Sequence, residues 1–278
     1  MRVKKEKGFT LVELLVVISI IALLMSILMP ALSAARDQAK AVICLSNLRQ
    51  WGLMFEAYIS DYGTFTGGSH PRGKALLYDS TGPGYWSNAM RSYHHDNYKV
   101  FCCPSAAKPS AKLDENGRAI PTGVRQPHVA WGELEGGNWF KKGMYGSYGM
   151  NWTAYDTSRE INKIHRWYTR DYWGHPNYRN ANNIPLFFGS NWHDAGPFHT
   201  DQPPQYSGEC AEVWPNNDMK RVCLDRHNGT VGMLFMDSSV RRPGLKELWR
   251  LKWHKSFDTH YPSPTWPDWM SKFKDYDY

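Results

Sequence analysis

Hydrophobic positions are arranged in two unlike ways along this 278-residue chain. From Phe9 to Met29 they form one block, 21 residues with a single charge, Glu13. As a helix rising 1.5 Å per residue, that block is about 31 Å long, close to the thickness of a bilayer core. The pattern then becomes periodic. Leu45, Leu48, Gly52, Phe55 and Ile59 recur at intervals of three and four, with Arg36, Lys40, Asn47, Arg49 and Glu56 between them. This spacing predicts an amphipathic helix continuing the apolar one, and Gly63 is its stop signal. The expected helix covers Phe9 to Tyr62. Pro30 lies inside it, removes one helix hydrogen bond and marks a kink or weak point.

Beyond Tyr62 the pattern breaks into short pieces. Turn signals at Gly67-Gly68, Gly82-Pro83-Gly84, Lys108-Pro109-Ser110 and Gly136-Gly137 make residues 64–143 loop-rich. Strands are expected at Tyr98–Cys102, Tyr145–Trp152 and Pro185–Gly189. A hairpin is expected from Val231–Met236 and Val240–Arg242 across Asp237-Ser238-Ser239, followed by a short amphipathic helix at Leu245–Trp253. In the hairpin, Val231, Met233 and Phe235 alternate with Leu234 and Met236. Both faces are therefore apolar, as in a strand buried on two sides. The tail, 261–278, reads as an extended arm that packs its aromatics. The fold class is α+β: a long N-terminal helix with a small antiparallel sheet in a loop-rich globular head. Expected boundaries are a basic leader at 1–8, a membrane half of the helix at 9–30, a packed half at 31–63 and a head at 64–278.

Charge changes little in this picture. The net charge is +7, but the first eight residues hold +3 of it and no long basic run follows, so nucleic-acid binding is not expected. A mean hydropathy of −0.57 excludes a polytopic membrane protein and leaves room for a single span. The positive leader predicts a cytoplasmic N-terminus with the bulk of the chain across the membrane. A secretory signal peptide fits poorly, because the apolar run is long and the helical pattern continues past it.

An ionised Glu13 within hydrocarbon is costly and implies a partner. The residues around it, Gly8-Phe9-Thr10-Leu11-Val12-Glu13 after a basic leader, resemble the processing motif of type IV prepilins and type II secretion pseudopilins. The resemblance implies cleavage by prepilin peptidase between Gly8 and Phe9 and N-methylation of Phe9. It further implies that Glu13 pairs with the N-terminal amine of a neighbouring subunit. The partners it implies are prepilin peptidase, other pilin-like subunits and an inner-membrane assembly machinery. The implied product is a single-pass inner-membrane protein with a periplasmic head, entering a filament after processing. It is a structural subunit and not an enzyme. Further segments, Cys44-Leu45-Ser46-Asn47-Leu48-Arg49-Gln50, Cys103-Pro104-Ser105, Ser147-Tyr148-Gly149-Met150-Asn151 and Arg226-His227-Asn228-Gly229, resemble a pseudopilin-like group abundant in planctomycetes, verrucomicrobia and lentisphaerae. That group ends in His, nine residues, then Asp-Gly on a terminal hairpin. His227 and Asp237 keep the spacing, but Ser238 stands where the group has glycine.

The remaining candidate chemistry is sparse. Five cysteines follow the apolar run: Cys44, Cys102, Cys103, Cys210 and Cys223. Cys210 and Cys223 close a short loop and are the favoured disulfide, with Cys44 to Cys102 or Cys103 as the alternative. No pair has the spacing of a zinc site. No cofactor is expected. Calcium is the one metal with an oxygen donor set near the hairpin, Asp225, Asn228 and Asp237, although the ordered string of a calcium loop is missing. His227 and Asp237 lack the third member of a catalytic triad, and a straight strand of nine residues would hold them about 30 Å apart. They are expected to act separately, His227 on backbone groups and Asp237 as a turn cap. The 13 tryptophans pose the main rival reading, a membrane-anchored glycan-binding or adhesive module. Exposed rings would favour it, and buried rings would favour a scaffold.

Overall fold

The structure is a computed structural model, and it describes residues 10–65, 86–95, 97–106, 108–109, 111–113, 119–121, 127–132, 145–155, 163–164, 167–209 and 217–276. The long helix α1 spans Leu11–Tyr62 and runs through Pro30. It ends as its sequence dictates. Gly63 adopts φ +76° and its amide donates to the Ile59 carbonyl at 2.7 Å, a left-handed cap that costs glycine nothing. The chain divides into two compact units, Met1–Ala39 and Lys40–Tyr278.

In the first unit the helix exposes Leu11 through Leu32 as a continuous apolar surface. It is long and apolar enough to cross a membrane. Its serines are satisfied within the helix, Ser19 Oγ donating to the Leu15 carbonyl and Ser26 Oγ to the Leu23 carbonyl, both at 2.7 Å. Neither hydroxyl needs water.

In the second unit the helix buries Ala41, Cys44, Asn47, Leu48, Trp51, Gly52 and Phe55. This stripe is rotated from the expected one. Leu45 and Ile59 lie at its margin, while Asn47, expected on the polar side, is inside. The reason is that the helix is pinned by polar bonds as well as packing. Asn47 Nδ2 donates to the Cys102 carbonyl at 3.0 Å, and Trp51 Nε1 to the Val100 carbonyl at 2.8 Å. Trp51 is fully buried, with ring centroids of Trp86, Phe101 and Phe187 at 5.3, 5.1 and 4.9 Å.

A five-stranded sheet forms the centre of this unit, in the order 194–195, 148–151, 185–189, 233–235, 240–241. The pairings are antiparallel except for the first, Asp194–Ala195 beside Tyr148–Asn151, which is parallel. Smaller pieces are a three-stranded sheet (108–109, 129–132, 145–146) and two hairpins (111–113 with 119–121, 163–164 with 167–168). The register divides the side chains cleanly. Met150, Phe187 and Leu234 lie in one row and join the cluster around Trp51. Phe188, Met233 and Phe235 point the other way, into a second core with Leu248, Trp249, Trp253 and Phe257. The expected two-sided burial of the hairpin strand is borne out.

Three elements differ from expectation, the first being the strand expected at Tyr145–Trp152, which divides into Tyr145–Gly146 in the three-stranded sheet and Tyr148–Asn151 in the five-stranded one, with Trp152 in a 3-10 turn. Tyr98–Phe101 is a 3-10 turn and not a strand, since the carbonyls of Val100 and of Cys102 just after it are taken by Trp51 and Asn47, and among the described residues only the Phe101 carbonyl meets the sheet region, accepting from the Ser147 amide at 2.9 Å. The helix expected at Leu245–Trp253 is a five-residue 3-10 helix, Lys246–Arg250. The extended tail is as predicted. Arg250 holds it, donating to the Tyr261 carbonyl at 2.8 Å, Ser263 Oγ at 2.5 Å and the Tyr276 carbonyl at 3.1 Å, and Trp266 packs edge-on against Trp249.

Candidate functional site

At the start of α1, Thr10 and Glu13 form a reciprocal cap. The Thr10 amide and hydroxyl donate to Glu13 Oε2 at 2.9 and 2.8 Å, and the Glu13 amide donates back to Thr10 Oγ1 at 3.3 Å. This is a Thr-x-x-Glu capping box, spelled out in the sequence as Thr10-Leu11-Val12-Glu13. Among the described residues, then, the carboxylate has the Thr10 amide and hydroxyl as hydrogen-bond donors, and both are neutral. Gly8 and Phe9 lie outside the described residues.

The second unit gathers residues from far apart in sequence. Cys44 comes from α1, Cys103 from the turn after Phe101, and His227 from the loop after Val222. Their donor atoms all lie within 4.8 Å of one another, and all three residues are buried. Cys103 Sγ is 3.1 Å from His227 Nε2. Tyr148 Oη donates to Cys44 Sγ at 3.3 Å. The Cys103 amide donates to Ser147 Oγ at 2.7 Å, which fixes the turn. The His227 loop is fixed by Asp225, whose Oδ1 accepts the Gly229 amide at 2.7 Å, and by Thr230 Oγ1 donating to the His227 carbonyl at 2.8 Å.

Arg226 lies beside this cluster with its guanidinium buried. It donates to the carbonyls of Ser147 at 2.7 Å, Ser190 at 2.8 Å, Val129 at 3.3 Å and Pro127. Carbonyls satisfy its N–H groups but not its charge, and anions nearby are favoured. The electrostatics of the cysteines follow. Cys103 is drawn well below the usual thiol range by a hydrogen bond from Cys44 and, after the opposing effect of burial, by His227 and Arg226. Cys44, the donor, is pushed up by that hydrogen bond and by burial. Cys102, one residue away, is pushed up to about 12 by burial, so it is an inert thiol. The set is thus two cysteine sulfurs and one histidine ring nitrogen, with the Arg226 guanidinium alongside.

Space for the sulfur comes from Gly232. A Cβ at this position would stand 2.9 Å from Cys44 Sγ and 3.0 Å from Leu48 Cδ1.

The residues singled out from the sequence are distributed as follows. His227 and Asp237 make separate contacts, and Asp237 accepts from Ser239 N at 3.0 Å and Ser239 Oγ at 2.6 Å across the turn. His227 differs from its expected role, since its ring meets Cys103 and not backbone groups. Ser238 adopts φ +64°, the left-handed conformation a glycine would supply. The Cys210–Cys223 bridge is not seen at its described end. Cys223 is a free thiol with no exposure, packed as a small apolar residue in the second core, and Cys210 lies outside the described residues. The oxygens proposed for calcium are engaged locally, Asp225 with Gly229 and Asp237 with Ser239. Among the described residues Trp51, Trp86, Trp131, Trp173, Trp249 and Trp253 are buried, and Trp152, Trp192, Trp266 and Trp269 are half-buried against the two cores.

Residues 3–29 match the family model of the prokaryotic N-terminal methylation motif. The start of the chain is therefore prepilin-like. Over 63 residues it is 41% identical to the type IV wide pilus major component PilA4 of Thermus thermophilus. That stretch is 23% of this chain and 48% of the relative, so the chain spans about half the length of the curated relative it matches. No solved structure matches. The pilin-like resemblance is thus confined to a short part of the chain, and the cluster around Cys103 rests on the geometry alone.

Proposed function

We propose that this chain is a structural subunit of a pseudopilus or related filament in a type II secretion-like system. The observation that carries the reading is the methylation motif at residues 3–29, set on a helix whose first half is exposed and apolar and holds Glu13. Prepilin peptidase removes residues 1–8 and methylates Phe9. The helix to about Pro30 holds the processed chain in the inner membrane, with the unit from Lys40 onward on the periplasmic side. On assembly, Glu13 exchanges its neutral Thr10 donors for the methylated amine of a neighbouring Phe9. A charged partner in lipid outweighs two neutral hydrogen bonds, so the exchange favours association. The aromatic content serves packing, which supports a scaffold over a sugar-binding platform.

Mass spectrometry of the mature N-terminus tests this. The expected result is a chain starting at N-methylated Phe9, with Gly8→Trp accumulating as full-length precursor. Glu13→Ala should be cleaved normally yet fail to enter filaments. A mature start some twenty residues later would mean an ordinary signal peptide and end the proposal.

A further inference from the structure

We propose that Cys44, Cys103 and His227 form a closed, three-coordinate binding site for a soft monovalent metal ion, copper(I). Two sulfurs and one imidazole are the donors that thiophilic d10 ions select, and these three side chains converge from segments 59 and 124 residues apart. With metal–sulfur distances near 2.3 Å and metal–nitrogen near 2.0 Å, a trigonal ion separates sulfur from nitrogen by about 3.7 Å. The 3.1 Å between Cys103 Sγ and His227 Nε2 opens by about 0.6 Å on that basis, a small rotation of the two side chains.

Two observations choose this ion over zinc, and a third shows that the surroundings fit the donors. Zinc in a structural site takes four ligands, and the converging donor set among the described residues is three. The charge also fits. Two thiolates, a neutral imidazole and a monovalent ion sum to −1, which the buried Arg226 guanidinium balances, whereas a divalent ion would leave an unbalanced positive charge beside it. Finally, the surroundings are shaped to the donors. Gly232 leaves the space that Cys44 Sγ occupies, and Tyr148 Oη donates to that sulfur and orients it. Binding involves no change of oxidation state. Each thiol still protonated gives its proton to solvent as the metal–sulfur bond forms. The ion would tie the helix to two loops of the same unit, a role independent of whether the chain enters a filament.

The test uses the full chain in detergent micelles, reduced and kept anaerobic. Copper(I) is supplied as its acetonitrile complex in competition with bicinchoninate, and zinc(II) is titrated in parallel. The expected result is one copper per chain, near-ultraviolet thiolate-to-copper absorption, and an X-ray absorption spectrum of two sulfurs and one nitrogen. Cys44→Ser and Cys103→Ser should each weaken binding at least ~100-fold, and His227→Gln about 10- to 100-fold with loss of the nitrogen shell. Cys102→Ser, whose thiol faces the Tyr145 carbonyl, should bind like the unaltered chain. Tryptophan fluorescence reports whether each variant is folded. His227→Gln, which removes no sulfur, keeps the test decisive if a serine variant unfolds. Three results would overturn the proposal: no copper binding beyond that of the Cys44→Ser, Cys103→Ser double variant; displacement of copper by equimolar zinc; or a Cys44–Cys103 disulfide in protein isolated from its native envelope.

Discussion

Replacing Ser238 by glycine should stabilise the protein, while the same replacement one residue later should destabilise it. The hairpin loop is Met236-Asp237-Ser238. The Ser238 amide donates to the Phe235 carbonyl at 3.0 Å and the Phe235 amide to the Ser239 carbonyl at 2.9 Å, with Ser238 at φ +64°. This is the three-residue hairpin loop that ends in a left-handed residue, normally glycine. Holding serine there costs about 1–2 kcal/mol of side-chain crowding. Glycine removes that cost but adds about 0.4–1 kcal/mol of unfolded-chain entropy. The net gain for Ser238→Gly is about 0.5–1 kcal/mol, or a Tm rise of about 1–4 °C at this size. Ser239 has no positive φ and its hydroxyl donates to Asp237 at 2.6 Å. Ser239→Gly loses that bond and adds the same entropy, a loss of about 1–2 kcal/mol. All tryptophans lie after residue 50, so urea unfolding followed by tryptophan fluorescence reports the Lys40–Tyr278 unit. Two changes of the same sign would refute the turn assignment, because no general effect of glycine separates these neighbours.

Two further substitutions probe the buried polar groups. Arg226→Met removes the donor shared by the Ser147, Ser190, Val129 and Pro127 carbonyls and should cost about 3 kcal/mol in the same unfolding measurement; a loss under about 1 kcal/mol would mean those carbonyls find other partners freely. Asp194 is buried between His193 Nδ1 at 3.1 Å and Arg221 Nη1 at 3.4 Å, and Asp218 Oδ1 lies 3.5 Å from Arg221 Nε. Burial pushes its carboxyl up to about 8 against the pull of Arg221. A raised folded pKa means the native state keeps a proton that the unfolded chain releases, so this contribution is whole below the unfolded pKa and is lost as pH rises through about 8. His193, held neutral by burial, acts in the opposite sense below its unfolded value near 6.5. Between about pH 6.5 and 8 Asp194 thus contributes a fall of up to about 1.4 kcal/mol per pH unit, set against the opposite slope of Cys103, whose folded value lies below its unfolded one. Asp194→Asn should flatten that slope, and an unchanged slope in the variant would count against the assignment.

What could be read from the sequence was local. The apolar block, the Gly63 stop, the strand at Pro185–Gly189 and the two-faced hairpin strand each follow from neighbouring residues, and each is present. At Tyr98–Phe101 the local signal misleads, because Tyr-Lys-Val-Phe has strand propensity. Only the tertiary demand of Asn47 and Trp51 for its neighbouring carbonyls makes the segment a 3-10 turn. The cysteine and histidine cluster had no local signal. Metal sites are sought as closely spaced pairs, and here each ligand comes from a different segment, so that no spacing within one segment announces the set.

The four sequence segments singled out apart from the N-terminal motif share one physical location. Cys44 and Asn47 on the helix, Cys103 on its turn, Ser147 and Tyr148 at the start of the 148–151 strand, and Arg226 and His227 in their loop all bond to one another or to backbone in and beside these segments. Packing alone does not require this. The helix stripe from Ala41 to Phe55 could bury an aliphatic residue at position 44, and a purely apolar contact there would need neither a buried guanidinium nor a glycine cut out to fit a sulfur. Burying Arg226 and His227 costs desolvation that well-packed hydrophobic side chains avoid. A chain that keeps two thiols, an imidazole and a compensating cation inside its core gives up stability there. A bound ion that links the three donors is the gain in proportion to that cost, because its binding free energy adds directly to the stability of the folded unit.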